Sequence, residues 1–193
     1  MIGLFSTFCI SSAICVFMVD TTPSVVLESR DSVTELGVDW DETSSVLSMT
    51  LHYFDSVPKP SSLADAINQR LRIDDDSCRL VVGDLEILPD RNQRPATLTI
   101  RTNPQRWLRR SLIPMPESLD PVFARILADY DDNNIASYDV PTSIGHDAAK
   151  RQVSISFGDY RTSKWASLAE GLAIGLTHDD LLSELRLNEF DAQ

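Results

Sequence analysis

Basic residues are missing from the start of this 193-residue chain: the first acid is Asp20 and the first Lys or Arg is Arg30. A secretory leader needs a positively charged start, so the absence argues against one. Cysteine is scarce as well, with only Cys9, Cys15 and Cys78 and no CxxC or CxxH pair. An odd, sparse set does not make a disulfide framework or a local zinc site, so we expect reduced thiols and an intracellular setting. The seven glycines, at positions 3, 37, 83, 145, 158, 171 and 175, are too dispersed to cradle a phosphate. His52, His146 and His178 are far apart in sequence, and no G-x-S-x-G elbow accompanies them. No catalytic residue, no metal and no cofactor is therefore expected.

What is present first is an apolar run from Ile2 to Val19, broken only by Ser6, Thr7, Ser11 and Ser12. Its length is close to the roughly 18–20 residues that span a hydrocarbon core. Burial in the fold or in a partner is one expectation for it, and membrane insertion or targeting is the other. The acids Asp20 and Glu28 precede Arg30, which is a poor flank for an anchor.

Net charge is −12, from 17 basic and 29 acidic residues. That balance disfavours general attraction to nucleic acid or anionic lipid. The charge is uneven: residues 1–45 carry −6, 59–110 carry +3 and 111–193 carry −8. Between Asp90 and Glu117 lie six arginines and no acid: Arg91, Arg94, Arg101, Arg106, Arg109 and Arg110. One reading of this island is internal pairing with the acidic C-terminal half. The other is a surface for an anion or an acidic partner, with Trp107 as a stacking or anchoring residue.

Residues 1–45 read as an apolar segment with an acidic connection, and 46–193 as a single α+β domain. Leu47, Met49, Leu51 and Tyr53 alternate with polar residues and predict a half-buried strand. Ser62 caps a predicted helix running to about Arg72. Residues 80–88 predict a strand with a bulge at Gly83, and 97–101 its hairpin partner. Residues 105–112 predict a short helix. Asp120-Pro121 opens another, carrying Val122, Phe123, Ile126, Leu127 and Tyr130. Residues 153–157 predict a fourth strand. Thr162 or Ser163, and then Thr177, start a C-terminal helical pair holding Trp165, Leu168, Leu172, Leu176, Leu181, Leu182 and Leu185. The order strand, helix, strand, strand, helix, strand is that of a ferredoxin-like split βαβ. We expect a four-stranded, mostly antiparallel sheet with helices on one face.

Asp129-Tyr130-Asp131-Asp132-Asn133-Asn134 spaces oxygen ligands like a calcium loop, but its twelfth position is Val140 rather than a bidentate Glu. These carboxylates supply the alternative of a metal-dependent hydrolase, and Asp74-Asp75-Asp76 is a further acidic cluster. Thr177 with Asp180 reads as a capping pair rather than a site with His178.

Ser48-Met49-Thr50-Leu51 followed by the predicted helix 62–71, and 154–157 followed by Thr162-Ser163-Lys164-Trp165 and a predicted helix to Leu176, resemble in layout the rhabdovirus-type matrix proteins. That family has a basic N-terminal arm, where this chain is apolar and acidic. The resemblance implies a viral assembly role. From the residues themselves we expect a non-enzymatic interaction or assembly protein. Its partner is another protein or a second copy, with membrane contact through residues 2–19 and nucleic-acid binding by the arginine island as alternatives.

Overall fold

The computed structural model describes residues 22–29, 34–53 and 78–190, and the elements among them are strands. In order they are β1 (Ser24–Ser29), β2 (Thr34–Asp41), β3 (Val46–Tyr53), β4 (Arg79–Val82), β5 (Leu85–Pro89), β6 (Pro95–Arg101) and β7 (Leu108–Arg109). Then follow β8 (Val122–Leu127), β9 (Ile135–Tyr138), β10 (Thr142–Asp147), β11 (Gln152–Phe157), β12 (Lys164–Ala169), β13 (Leu172–Leu176) and β14 (Leu182–Leu187). A single 3-10 turn, Pro104–Arg106, is the only helical piece among the described residues.

Two six-stranded sheets and one two-stranded pair result. The first sheet runs β2-β3-β6-β5-β4-β9, the second β12-β13-β14-β11-β10-β7, and β1 pairs with β8. Neighbours are antiparallel except β4 with β9 and β7 with β10. Those two exceptions stitch the sheets together. The chain leaves β6 of the first sheet to lay β7 on the edge of the second, and later returns to lay β9 on the edge of the first. Alternation drives the burial: Leu47, Met49 and Leu51 of β3 are buried while Ser48 and Thr50 are not. Inward residues of both sheets, with Val25 of β1 and Ala124 and Ile126 of β8, form one hydrophobic cluster. Sheet-on-sheet packing thus supplies the core.

Strands were expected at 47–53, 97–101 and 153–157, and strands stand there. The α+β class, the four-stranded sheet with helices on one face and the C-terminal helical pair are overturned, because among the described residues the elements are strands of three sheets and one short 3-10 turn. The helix expected after Asp120-Pro121 is β8, fully paired with β1 from Val122 to Leu127. Its apolar residues satisfy a period of two as well as 3.6, and Val, Phe and Ile favour a pleated surface. The helix expected from Thr162 to Leu176 is the β12–β13 hairpin, turned at Glu170 and Gly171, whose φ is +84°. A left-handed residue there breaks any helix and closes a tight hairpin. At Thr177 the cap exists without its helix: Thr177 Oγ1 accepts the N–H groups of Asp179 and Leu181, and the chain enters β14. Asn103 likewise caps only the 3-10 turn, so no helix covers 105–112. Gly83 is not a bulge but part of the turn between β4 and β5.

The split βαβ order disappears with these helices. The matrix-protein resemblance loses the helix it placed at 162–176, and its other helix, 62–71, lies outside the described residues, as do residues 2–19 and Asp74-Asp75-Asp76. Residues 24–41, read as connection, carry β1 and β2. Among the described residues no helix is long and apolar enough to cross a membrane.

Candidate partner-binding site

The six arginines fall into two groups at opposite ends of β6, which at about 3.3 Å per residue separates them by roughly 20 Å. At the β5–β6 turn, Arg94 is 8% exposed and its guanidinium pairs with Asp90 at 2.6 Å. It also lies 4.1 Å from the centre of the Tyr53 ring and 4.9 Å from that of Phe123. Asp90 in turn accepts the N–H groups of Asn92 and Arg94, so this arginine holds a turn in shape. Arg91 lines a shallow cleft with Glu28, Phe123 and Arg125, and Arg125 pairs with Glu28 at 2.7 Å. Internal pairing therefore describes Arg94.

The other group differs. Arg101 ends β6, Arg106 closes the 3-10 turn, Arg109 lies on β7 and Arg110 follows it, and all four are exposed. None of them makes an ion pair among the described residues. The connection carrying them is held by Trp107, whose indole N–H donates to Thr102 Oγ1 at 2.9 Å. Trp107 is 6% exposed and meets Trp40, His146 and Phe190 at ring-centre distances of 5.7, 5.7 and 6.0 Å. It is a core residue, and its packing anchors the connection that carries the arginines.

Above that aromatic floor opens a cleft of about 330 Å³ between the β2–β3 turn and β7, walled by Glu42, Ser45 and Arg109. A second hollow of about 400 Å³ adjoins it across Arg109 and His146 and reaches Arg110 and Asp147. Among the described residues β7 is the outer strand of its sheet, and Leu108 on it is 50% exposed. Cation, aromatic floor and open strand edge thus occur together. Sequence reasoning missed Trp40, Glu42 and His146. Trp40 sat in an apparent linker, and only the β10 pairing of His146 with Arg109 brings them together.

Beyond β7, residues 110–120 form a strap over the outer face of the second sheet. Arg110 and Leu112 lie over Gly145 of β10, the Leu112 N–H donates to Asp147 Oδ2, and the Asp120 carbonyl accepts from the Ser167 N–H on β12. The Leu112 N–H, then the Lys150 N–H and ammonium, hold the Asp147 carboxyl below its usual range against the opposing effect of burial. Beneath the strap, Arg186 is 3% exposed, donates to Glu184 and to the Ile113 carbonyl, and lies over the Trp165 ring.

The Asp129–Asn134 carboxylates do not converge on a cation. Asp131 Oδ1 accepts the N–H groups of Ile135 and Asn133, which lowers its pKa and closes a turn into β9. Among the described residues no three His, Cys, Asp or Glu side chains group as metal ligands. Neither a protein-family model nor a curated protein matches the chain.

Proposed function

We propose that this protein is a non-catalytic interaction module that docks an acidic segment of a partner protein along the β7 edge, through Arg109 above the Trp40–Trp107 floor and Arg101, Arg106 and Arg110 around it. The observation that carries the reading is that these four arginines make no ion pair among the described residues, in a chain whose acids outnumber its basic residues by 29 to 17. Carboxylates interspersed with apolar residues suit forked guanidinium groups, an exposed leucine and an aromatic cleft. A nucleic-acid strand is the second reading, disfavoured because a net charge of −12 repels a long polyanion beyond the basic patch. Exposed ion pairs contribute about 0.2–1 kcal/mol each, so four amount to roughly 1–4 kcal/mol, or about 5- to 1,000-fold in affinity. The apolar run from Ile2 to Val19 is a second contact element in this reading, for a partner or a membrane, in an intracellular setting.

The test is a titration of the full chain with a fluorescent peptide alternating Glu with Leu, beside its Gln counterpart and a single-stranded oligonucleotide. Binding of the Glu peptide alone, weakened more than about tenfold by raised salt and by R106A/R109A/R110A, is the expected result. A flat salt response sinks the reading, and tighter binding of the oligonucleotide transfers the site to nucleic acid. Removing residues 1–20 tests the second element by mass and by vesicle partitioning. Unchanged mass and unchanged partitioning remove it.

A further inference from the structure

We propose that one acidic segment this site accepts is the β2–β3 turn of a second copy of the same chain, so that two copies close on each other about a twofold axis through the Trp40–Trp107 cleft. The proposal rests on the reading of the arginine edge given above and names its partner. Among the described residues β2 is the outer strand of the first sheet, as β7 is of the second. On β2 and its turn, Asp39, Asp41 and Glu42 are exposed, and none makes an ion pair among the described residues. The chain therefore presents one acidic and one basic edge, and Glu42 and Arg109 line a single cleft between them.

Among the described residues these charges do not pair with each other within one molecule. Asp41 pairs with Val46 and Val46 with Arg101, which sets Asp41 and Arg101 two strand spacings, roughly 10 Å, apart on one face. The Asp41 carboxylate is also committed to its own turn, accepting from Ser44 Oγ and from the N–H groups of Thr43 and Ser44. That leaves Asp39 and Glu42 to reach outward. A patch whose acidic and basic halves lie side by side is self-complementary under a twofold rotation, because each half then faces its opposite. Like charges along β2 also oppose direct β2–β2 pairing, which an eight-residue open edge otherwise invites. Opposite charges on the β7 edge favour the crossed arrangement instead.

Sedimentation of the full chain at about 0.1 mM, in about 0.05 M and about 0.5 M salt, reads the assembly. Dimer at low salt and monomer at high salt are expected. D39K/E42K and R106E/R109E should each be monomeric, their equimolar mixture should form a heterodimer, and the chain with all four changes should dimerise again. Recovery in the mixture separates lost contact from lost fold. Monomeric wild-type protein at low salt overturns the proposal. If the Glu peptide still binds in that case, the acidic-partner reading stands without it, and if it does not, both fall. A dimer that survives high salt and both reversals lies on another surface and also overturns the proposal, as does an open oligomer that grows with concentration.

Discussion

Asp147 Oδ2 accepts the backbone N–H of Leu112 at 3.1 Å, fastening the strap to the end of β10 beside the arginine edge. The same carboxylate accepts the Lys150 N–H through its other oxygen, so one side chain orders both the strap and the β10–β11 turn. Its depressed pKa makes this contribution pH-dependent.

The folded-state pKa of Asp147 lies below its ordinary 3.8, so its stabilisation is full above that value and is lost as pH falls through the lowered one. Asp131, held low first by the Ile135 N–H, and Asp41, held low first by the Ser44 hydroxyl, act in the same direction. Asp147→Ala should lower the melting temperature at neutral pH, with the gap to wild type closing in strong acid. A gap of constant size from neutral to acid pH would show that the charge is not the fastener.

Arg186 is buried and pairs with the half-buried Glu184, which also accepts the Ser154 and Thr162 hydroxyls. Arg186→Met should cost about 1–3 kcal/mol in urea unfolding, and the double change with Glu184→Leu should recover part of it. Equal losses in the single and double variants would mean that Arg186 acts chiefly through the Ile113 carbonyl.

Trp107→Ala should cost about 3–5 kcal/mol, since it empties a site packed by Trp40, His146 and Phe190. Trp107→Phe keeps much of that packing and loses the bond to Thr102, at about 1 kcal/mol. Binding of the Glu peptide should weaken in Trp107→Phe by less than in Arg109→Ala, because the tryptophan supports the site from beneath.

Gly83 has a φ of +55°, and a Cβ there would fall 2.1 Å from Thr142 Oγ1 and 2.4 Å from the Val140 carbonyl oxygen. Gly83→Ala should therefore destabilise by about 2–4 kcal/mol, from left-handed strain plus overpacking. Thr142 Oγ1 accepts the Asp84 N–H, linking the β4–β5 turn to β10. Amide exchange should consequently quicken in β10 as well as in β4 and β5, and confinement to the turn would refute that link.

Strands with strict alternation were legible from residues alone, β3 and β11 most clearly. The C-terminal half was not, because its leucines fit two periods at once. Leu168, Leu172 and Leu176 sit four apart, as on a helix, yet a turn with Gly171 at positive φ and pairing with β14 place all three inward on a hairpin. Helix-capping residues misled for the same reason. Thr177 and Asn103 satisfy the first free N–H groups of any turn, whether or not a helix follows.

The arginine island was visible at once, but its meaning was not. Arg94 finds Asp90 four residues earlier, a pairing open to sequence reasoning. That Arg101, Arg106, Arg109 and Arg110 make no ion pair among the described residues depends on where distant acids end up. His146 and Trp40 joined the site only through strand pairing and packing across the sheets.

Composition and order by themselves determined the acidic balance, the scarcity of reactive groupings, the crowding of arginine between Asp90 and Glu117, and the alternating strands. Tertiary structure alone decided that the leucine-rich C-terminal half is sheet, that β7 and β9 are exchanged between sheets, and which arginines stay open. Strand pairing is a contact between distant residues, and local periodicity holds no information about which distant edge is free to accept it.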